Sequence, residues 1–142
     1  DLITNRKTDY KFDLKKFTSL NGKTGIYVQY SQVRADKLLK NIKNPNSNLT
    51  KLILNEIDKE LLTKLFLFFL FLEQSASLNE PHHLANYLYE ISNLFNQFYE
   101  SEKISDITQS DHLSSKLFIT NLFLTTSHNV MTCLGIKPVE KM

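Results

Sequence analysis

The chain has 142 residues, 42% of them hydrophobic and 23% charged, with one cysteine and a net charge of +2. That is one domain's worth of chain with enough apolar content for a core, and a lone Cys133 excludes an internal disulfide and any thiolate-based zinc cluster. The longest apolar run, Leu65 to Leu72, is far short of the roughly 20 residues of a membrane-spanning helix. The opening residues do not read as a signal peptide. Asp1 in place of an initiator Met makes a piece of a longer protein the expectation. Three Gly and three Pro leave few breaks, so long helices are expected. The net charge hides an asymmetry. Residues 1–51 hold 11 Lys and Arg against 4 Asp and Glu, near +7, and the remainder is near −5. A basic first third is the footprint of a nucleic-acid surface or, equally, of a solvated helix with a basic linker.

Residues 1–22 read as an extended or irregular lead-in. Tyr10, Phe12 and Leu14 alternate with polar neighbours, as in a short strand or a strap across a bundle. Asn21-Gly22 is a turn signal. The spacing then predicts a helix from about Thr24 to Ile42. Val28, Ala35, Leu39 and Ile42 form one apolar stripe, with Tyr30, Arg34, Lys37 and Asn41 roughly opposite. That predicts a helix packed on one side, although Ile26 and Val33 lie nearer the polar stripe. Asn44-Pro45-Asn46-Ser47-Asn48 breaks it.

From Lys51 to Leu72 the pattern is helical and increasingly apolar. Leu65–Leu72 has no polar face and reads as buried on several sides; an exposed docking patch is the other reading. Asn79-Glu80-Pro81 opens the next helix, with Asn79 able to cap it and Pro81 in the first turn. Leu84, Leu88, Ile91, Phe95 and Phe98 form a core stripe, with Asn86, Glu90, Asn93, Gln97 and Glu100 on the other face. A polar connector, 101–109, leads to a last helix from Ser110 or Asp111 to Leu134. Gly135 stands where a left-handed cap belongs and Pro138 prevents continuation. Cys133 reads as a small buried hydrophobe. The fold expected is all-α, an antiparallel helical bundle with a short extended lead-in.

Chemistry-bearing clusters are few. His82 and His83 beside Glu80 lack the His-Glu-x-x-His spacing of zinc sites, and adjacent helical residues point about 100° apart, so no metal site is expected. There is no Gly-x-Ser-x-Gly turn and no Gly-rich phosphate loop. What remains is recognition. The run Gly25-Ile26-Tyr27-Val28-Gln29-Tyr30-Ser31-Gln32-Val33-Arg34 places rings, amides and a guanidinium within a few turns. Those groups suit single-stranded RNA, where rings stack on bases and Arg meets phosphate. Tyr30 and Tyr99 read equally as partly buried core tyrosines, and Gln29 and Asn86 as solvated helix-face residues.

Four segments carry a resemblance. They are Asn5-Arg6-Lys7-Thr8-Asp9-Tyr10-Lys11-Phe12-Asp13, the run Gly25–Arg34, Glu80-Pro81-His82 continuing to Glu90, and the ending Leu134-Gly135-Ile136-Lys137-Pro138-Val139-Glu140-Lys141-Met142. In order and spacing they resemble the carboxyl-terminal, DALR-type anticodon-binding domain of arginyl-tRNA synthetases. The resemblance implies residues 1–22 as a connector from a catalytic domain and 23–142 as the helical domain. It implies tRNA of the arginine isoacceptors and the catalytic domain as partners, with no membrane, and a monomeric, cytoplasmic enzyme. ATP with Mg and arginine would belong to the catalytic domain. The His-x-Gly-His turn and Lys-Met-Ser-Lys-Ser-like loop of that domain are absent here, so no catalytic residue and no cofactor is expected in this chain.

By the same resemblance Tyr30, Arg34, Lys37, Tyr99, Lys103 and Met142 are the expected tRNA-contacting residues. Tyr27-Val28-Gln29-Tyr30 departs from the family's Tyr-Leu-Gln-Tyr by Val for Leu. Lys103 falls where some members carry a large aromatic, which implies a phosphate contact instead of stacking. A domain of a related class I synthetase, such as that for cysteine or glycine, and a helical protein-interaction module resting on Leu65–Leu72 are the alternatives.

Overall fold

The structure is a computed structural model. It describes residues 2–5, 7–9, 11, 13–17 (backbone alone at 16 and 17), 24–42 and 51–139. These form helices α1 (Leu14–Phe17), α2 (Gly25–Asn41), α3 (Glu56–Phe66), α4 (Phe68–Leu78), α5 (His82–Ser101) and α6 (Ser110–Cys133), with a 3₁₀ turn at Ile104–Asp106. No strand occurs among the described residues, so the expected all-α bundle is what the chain adopts. The turn expected at Asn21-Gly22, the break at 44–48, Tyr10, Phe12 and Met142 all lie outside the described residues.

The helix ends follow local chemistry. Thr24 caps α2, its Oγ1 accepting from the Tyr27 N–H at 3.3 Å. Asn55 and Asp58 cap α3 reciprocally: each side chain accepts from the other's backbone N–H, at 2.9 and 3.0 Å. At the far end of α6, Gly135 takes φ 70°. Its N–H donates to the Thr132 carbonyl and that of Ile136 to the Met131 carbonyl, closing the helix as the sequence led one to expect.

Helix α5 is the hub and packs against α2, α3, α4 and α6. Its stripe Leu84, Leu88, Ile91, Phe95 and Phe98 is buried throughout, joined by a fully buried Tyr87. Phe95 stacks on Phe123 of α6, ring centres 4.1 Å apart and planes within 5°. At the α3–α6 contact, Lys116 Nζ donates to both oxygens of Asp58, at 2.7 and 2.9 Å, with both side chains wholly buried.

Several expectations need correction. Helix α2 is not packed on one side. Val28, Ser31, Ala35 and Leu38 are buried, but so are Gln32 and Val33, because the helix lies against both α5 and α6. Residues 51–55 are not helical. The stretch ending at Leu72 also divides at Leu67, where the Tyr87 hydroxyl donates to the Lys64 and Leu65 carbonyls at 3.1 and 3.3 Å. The Leu67 N–H donates to the Lys64 carbonyl as well, at 3.2 Å, a 3₁₀-type bond that tightens the last turn of α3.

Only one face of α4 and of the turn before it is covered. Phe68, Phe71 and Leu72 pack on the core, while Phe66, Leu67, Phe69 and Leu70 are exposed, Phe69 to 75%. By length and composition Glu56–Leu78 would pass for a membrane span. Its break at Leu67 and the burial of Leu61, Leu62 and Leu65 assign it to the bundle.

Asn79 does not cap α5. It takes a left-handed φ of 52° and closes α4, leaving Pro81 at the head of α5. Cys133 is exposed, on the opposite side of the last turn of α6 from the buried Met131.

Candidate nucleic-acid interface

Three of the six expected residues meet in one place. Tyr30 and Arg34 are one turn apart on α2, and Tyr99 comes to them from the last part of α5. The Arg34 guanidinium carbon lies 4.7 Å from the centre of the Tyr30 ring and 4.6 Å from that of Tyr99. Its Nη2 donates to the Tyr30 hydroxyl at 2.8 Å, and its Nη1 to Asn96 Oδ1 at 3.2 Å and Glu100 Oε1 at 3.0 Å. Burial works against the Arg34 charge. The bonds to Glu100 and Tyr30 outweigh it and hold the pKa above its ordinary value, so the cation is permanent.

The cluster is braced from below. Asn96 Nδ2 donates to Ser31 Oγ at 2.9 Å, and Ser31 Oγ donates to the Tyr27 carbonyl at 3.0 Å. Tyr27 in turn donates to Asn93 Oδ1 at 3.2 Å and packs its ring 5.6 Å from that of Tyr89. The seam between α2 and α5 is therefore lined with rings and amides, and its upper part is solvent-facing: Tyr30 is 44% exposed.

The other three expected residues are placed differently. Lys37 is exposed one turn beyond Arg34 on α2. Lys103 lies past the end of α5 and pairs with Asp106 at 2.9 Å. No contact joins it to the Tyr30–Arg34–Tyr99 cluster among the described residues. Met142 lies outside the described residues.

Sequence reasoning missed several partners. Asn96 and Glu100 hold Arg34, and Glu100 carried only the signal of a polar helix face. Gln29 and Asn86 are not merely solvated. Asn86 Nδ2 donates to the carbonyls of His82 and Ile3, at 2.8 and 3.2 Å, which straps the lead-in across α5. Lys7 reinforces the strap through Glu80 at 2.8 Å. Gln29 binds the backbone of residues 137 and 139.

Glu80, His82 and His83 bring ligand atoms within 4.8 Å of one another, closer than the 100° divergence of neighbouring helical residues predicts. Glu80 precedes the helix and folds back, its Oε2 3.2 Å from His83 Nε2, and the His82 and His83 rings lie with their centres 4.1 Å apart. The carboxylate is already held by Lys7 and His83, and both the Lys7 bond and the His83 bond keep its pKa below the ordinary value against partial burial.

The model of the DALR anticodon binding domain matches residues 28–142. The chain belongs to that family. The match takes in α2 from Val28 onward and α3 through α6, including Tyr30, Arg34 and Tyr99. Along its full length the chain is 36% identical to the arginine–tRNA ligase of Wigglesworthia glossinidia brevipalpis and 33% identical to that of Streptomyces coelicolor. It spans 25% and 24% of those proteins. The crystal structure of arginyl-tRNA synthetase from Plasmodium falciparum superposes on the whole chain with a TM-score of 0.80 at 25% identity, over 25% of its own length. The Thermus thermophilus arginyl-tRNA synthetase shares the fold, with a TM-score of 0.78 over 87% of this chain and 22% of its own, at 23% identity. The chain thus corresponds to about a quarter of the length of the relatives it matches.

Proposed function

We propose that this chain recognises the anticodon stem-loop of arginine tRNA, as the carboxyl-terminal domain of a monomeric, cytoplasmic arginine–tRNA ligase. The observation that carries the reading is the solvent-facing Tyr30–Arg34–Tyr99 cluster on a domain of the anticodon-binding family. Arginylation itself, with its ATP, Mg and arginine, belongs to a catalytic domain outside these residues, and that domain is the second partner.

The geometry supports a division of labour. Tyr30 offers an exposed ring for an anticodon base splayed from its stack. Arg34 uses three of its five N–H donors on Asn96, Glu100 and Tyr30, which fixes the spacing of the two rings. Its remaining donors and Lys37 face the backbone phosphates, Lys103 lies further out as a phosphate contact, and Met142 is assigned a contact with the loop by the resemblance alone. Every arginine anticodon shares a middle cytidine, so that base is the natural one to read.

The experiment is binding of the chain to arginine tRNA and to the same tRNA with its middle anticodon cytidine replaced, at one low salt concentration. A loss of about tenfold, roughly 1.4 kcal/mol, is expected. Equal binding to both would leave attraction by charge alone. The exposed face at Phe66, Phe69 and Leu70 is the observation behind a protein-docking reading. Binding through phosphates weakens steeply with salt, whereas apolar docking does not.

A further inference from the structure

Gln29 stands one residue before Tyr30 on α2, and its side-chain amide is used twice. Nε2 donates to the Lys137 carbonyl at 2.9 Å, and Oε1 accepts from the Val139 N–H at 3.0 Å. An amide that gives to one residue's carbonyl and takes from the N–H two residues on reproduces the pairing of a neighbouring strand. Both bonds go to backbone, so they hold a path of the chain rather than a particular side chain. Between the two bonded residues lies Pro138, which has no N–H to leave unpaired and whose ring restricts the segment to few conformations.

The start of the same segment is held separately. Gly135 turns the chain out of α6, and Ile136 packs against the core. The Gln29 bonds are thus the last anchor among the described residues, and the anchor before them is Ile136. Lys137 and Val139 are exposed in the held segment, so it offers a cation and an apolar contact beside the Tyr30 turn.

We propose that Gln29 is a positioning residue, which clamps residues 137–139 onto α2 so that this segment, with Lys137 and Val139, forms an edge of the RNA-binding face. The role rests on the anticodon reading given above. The clamp itself does not.

The test uses Gln29→Ala in the full chain, a chain ending at Ile136, and the two combined. Amide hydrogen exchange at Val139 is expected to quicken at least tenfold in Gln29→Ala, with the amides of α5 unchanged. Affinity for arginine tRNA is expected to fall about tenfold in Gln29→Ala, and at least as far in the shortened chain. The combined variant is expected to bind no more weakly than the shortened chain alone, because a clamp with nothing to hold has no effect. Unchanged exchange at Val139 would overturn the clamp. Faster exchange with unchanged affinity would overturn its role in binding. A further loss in the combined variant would show that Gln29 meets the RNA directly and overturn the positioning role. Failure of the anticodon reading looks different: the unaltered chain itself would bind no tRNA, and the role would fall with it while the exchange result stood.

Discussion

The Arg34 guanidinium lies 4.6 Å from the centre of the Tyr99 ring, across the seam between α2 and α5. The two residues are 65 positions apart in the chain, and the same guanidinium also reaches Tyr30, Asn96 and Glu100. A planar fork serves all of these at once, and an ammonium does not. Arg34→Lys is therefore expected to cost about 1–2 kcal/mol in urea unfolding. Glu100→Gln should cost under about 1 kcal/mol, because that carboxylate is two-thirds exposed. Equal losses would mean that the ion pair, and not the ring and amide contacts, holds the seam.

Removing one member of the buried Lys116–Asp58 pair strands the other without water. Lys116→Met is expected to destabilise the chain by about 3–5 kcal/mol in guanidinium unfolding. Adding Asp58→Asn should recover part of the loss. The neutral amide oxygen still accepts from the Asn55 N–H, so the α3 cap survives. No recovery would place the cost in packing, including the Lys116 contact with the Phe98 ring at 5.0 Å.

Tyr87→Phe keeps the ring stacked on Phe71, 4.7 Å away, and removes only the hydroxyl. The Lys64 and Leu65 carbonyls then lose the hydroxyl at the α3–α4 division and are left with the Leu67 N–H. The expected cost is about 1–3 kcal/mol. Hydrogen exchange should quicken in residues 67–71 before it does in α5. Uniform exchange would mean that the hydroxyl does not govern the division.

The strap from Lys7 to Glu80 should depend on pH. The Glu80 pKa is lowered in the folded chain, first by the Lys7 hydrogen bond, from an ordinary value of 4.5. A carboxylate with a depressed folded pKa stabilises fully above its unfolded value and loses that contribution as pH falls through the folded one. The difference in melting temperature between the unaltered chain and Glu80→Gln should stay constant above about pH 4.5 and shrink below it. A difference independent of pH would assign the effect to shape and not to charge.

Much of this was legible in the sequence. The α5 stripe and the Gly135 cap act within four or five residues, so periodicity and residue type suffice to find them. Tyr30, Arg34 and Lys37 share a helix face for the same reason. Tyr99 was found through resemblance, since nothing in spacing links α5 to α2. The buried state of Leu65–Leu72 was misread, because composition records how apolar a segment is and not how many neighbours it has. Asn79 was misplaced because Asn suits both the start of one helix and the left-handed end of another, and only the chain's path separates the two.

The sequence by itself determined that the chain is helical, where most helices end and which stripe of α5 is buried. Those are consequences of hydrogen bonding and side-chain spacing along one element. Only the tertiary structure decided that the Tyr87 hydroxyl reaches the α3–α4 division, that Arg34 turns its fork to Asn96 and Glu100, and that Gln29 holds residues 137–139. Each of these joins polar groups between 22 and 110 positions apart. Such a bond forms where folding has brought its partners within about 3 Å, and no local pattern encodes that distance.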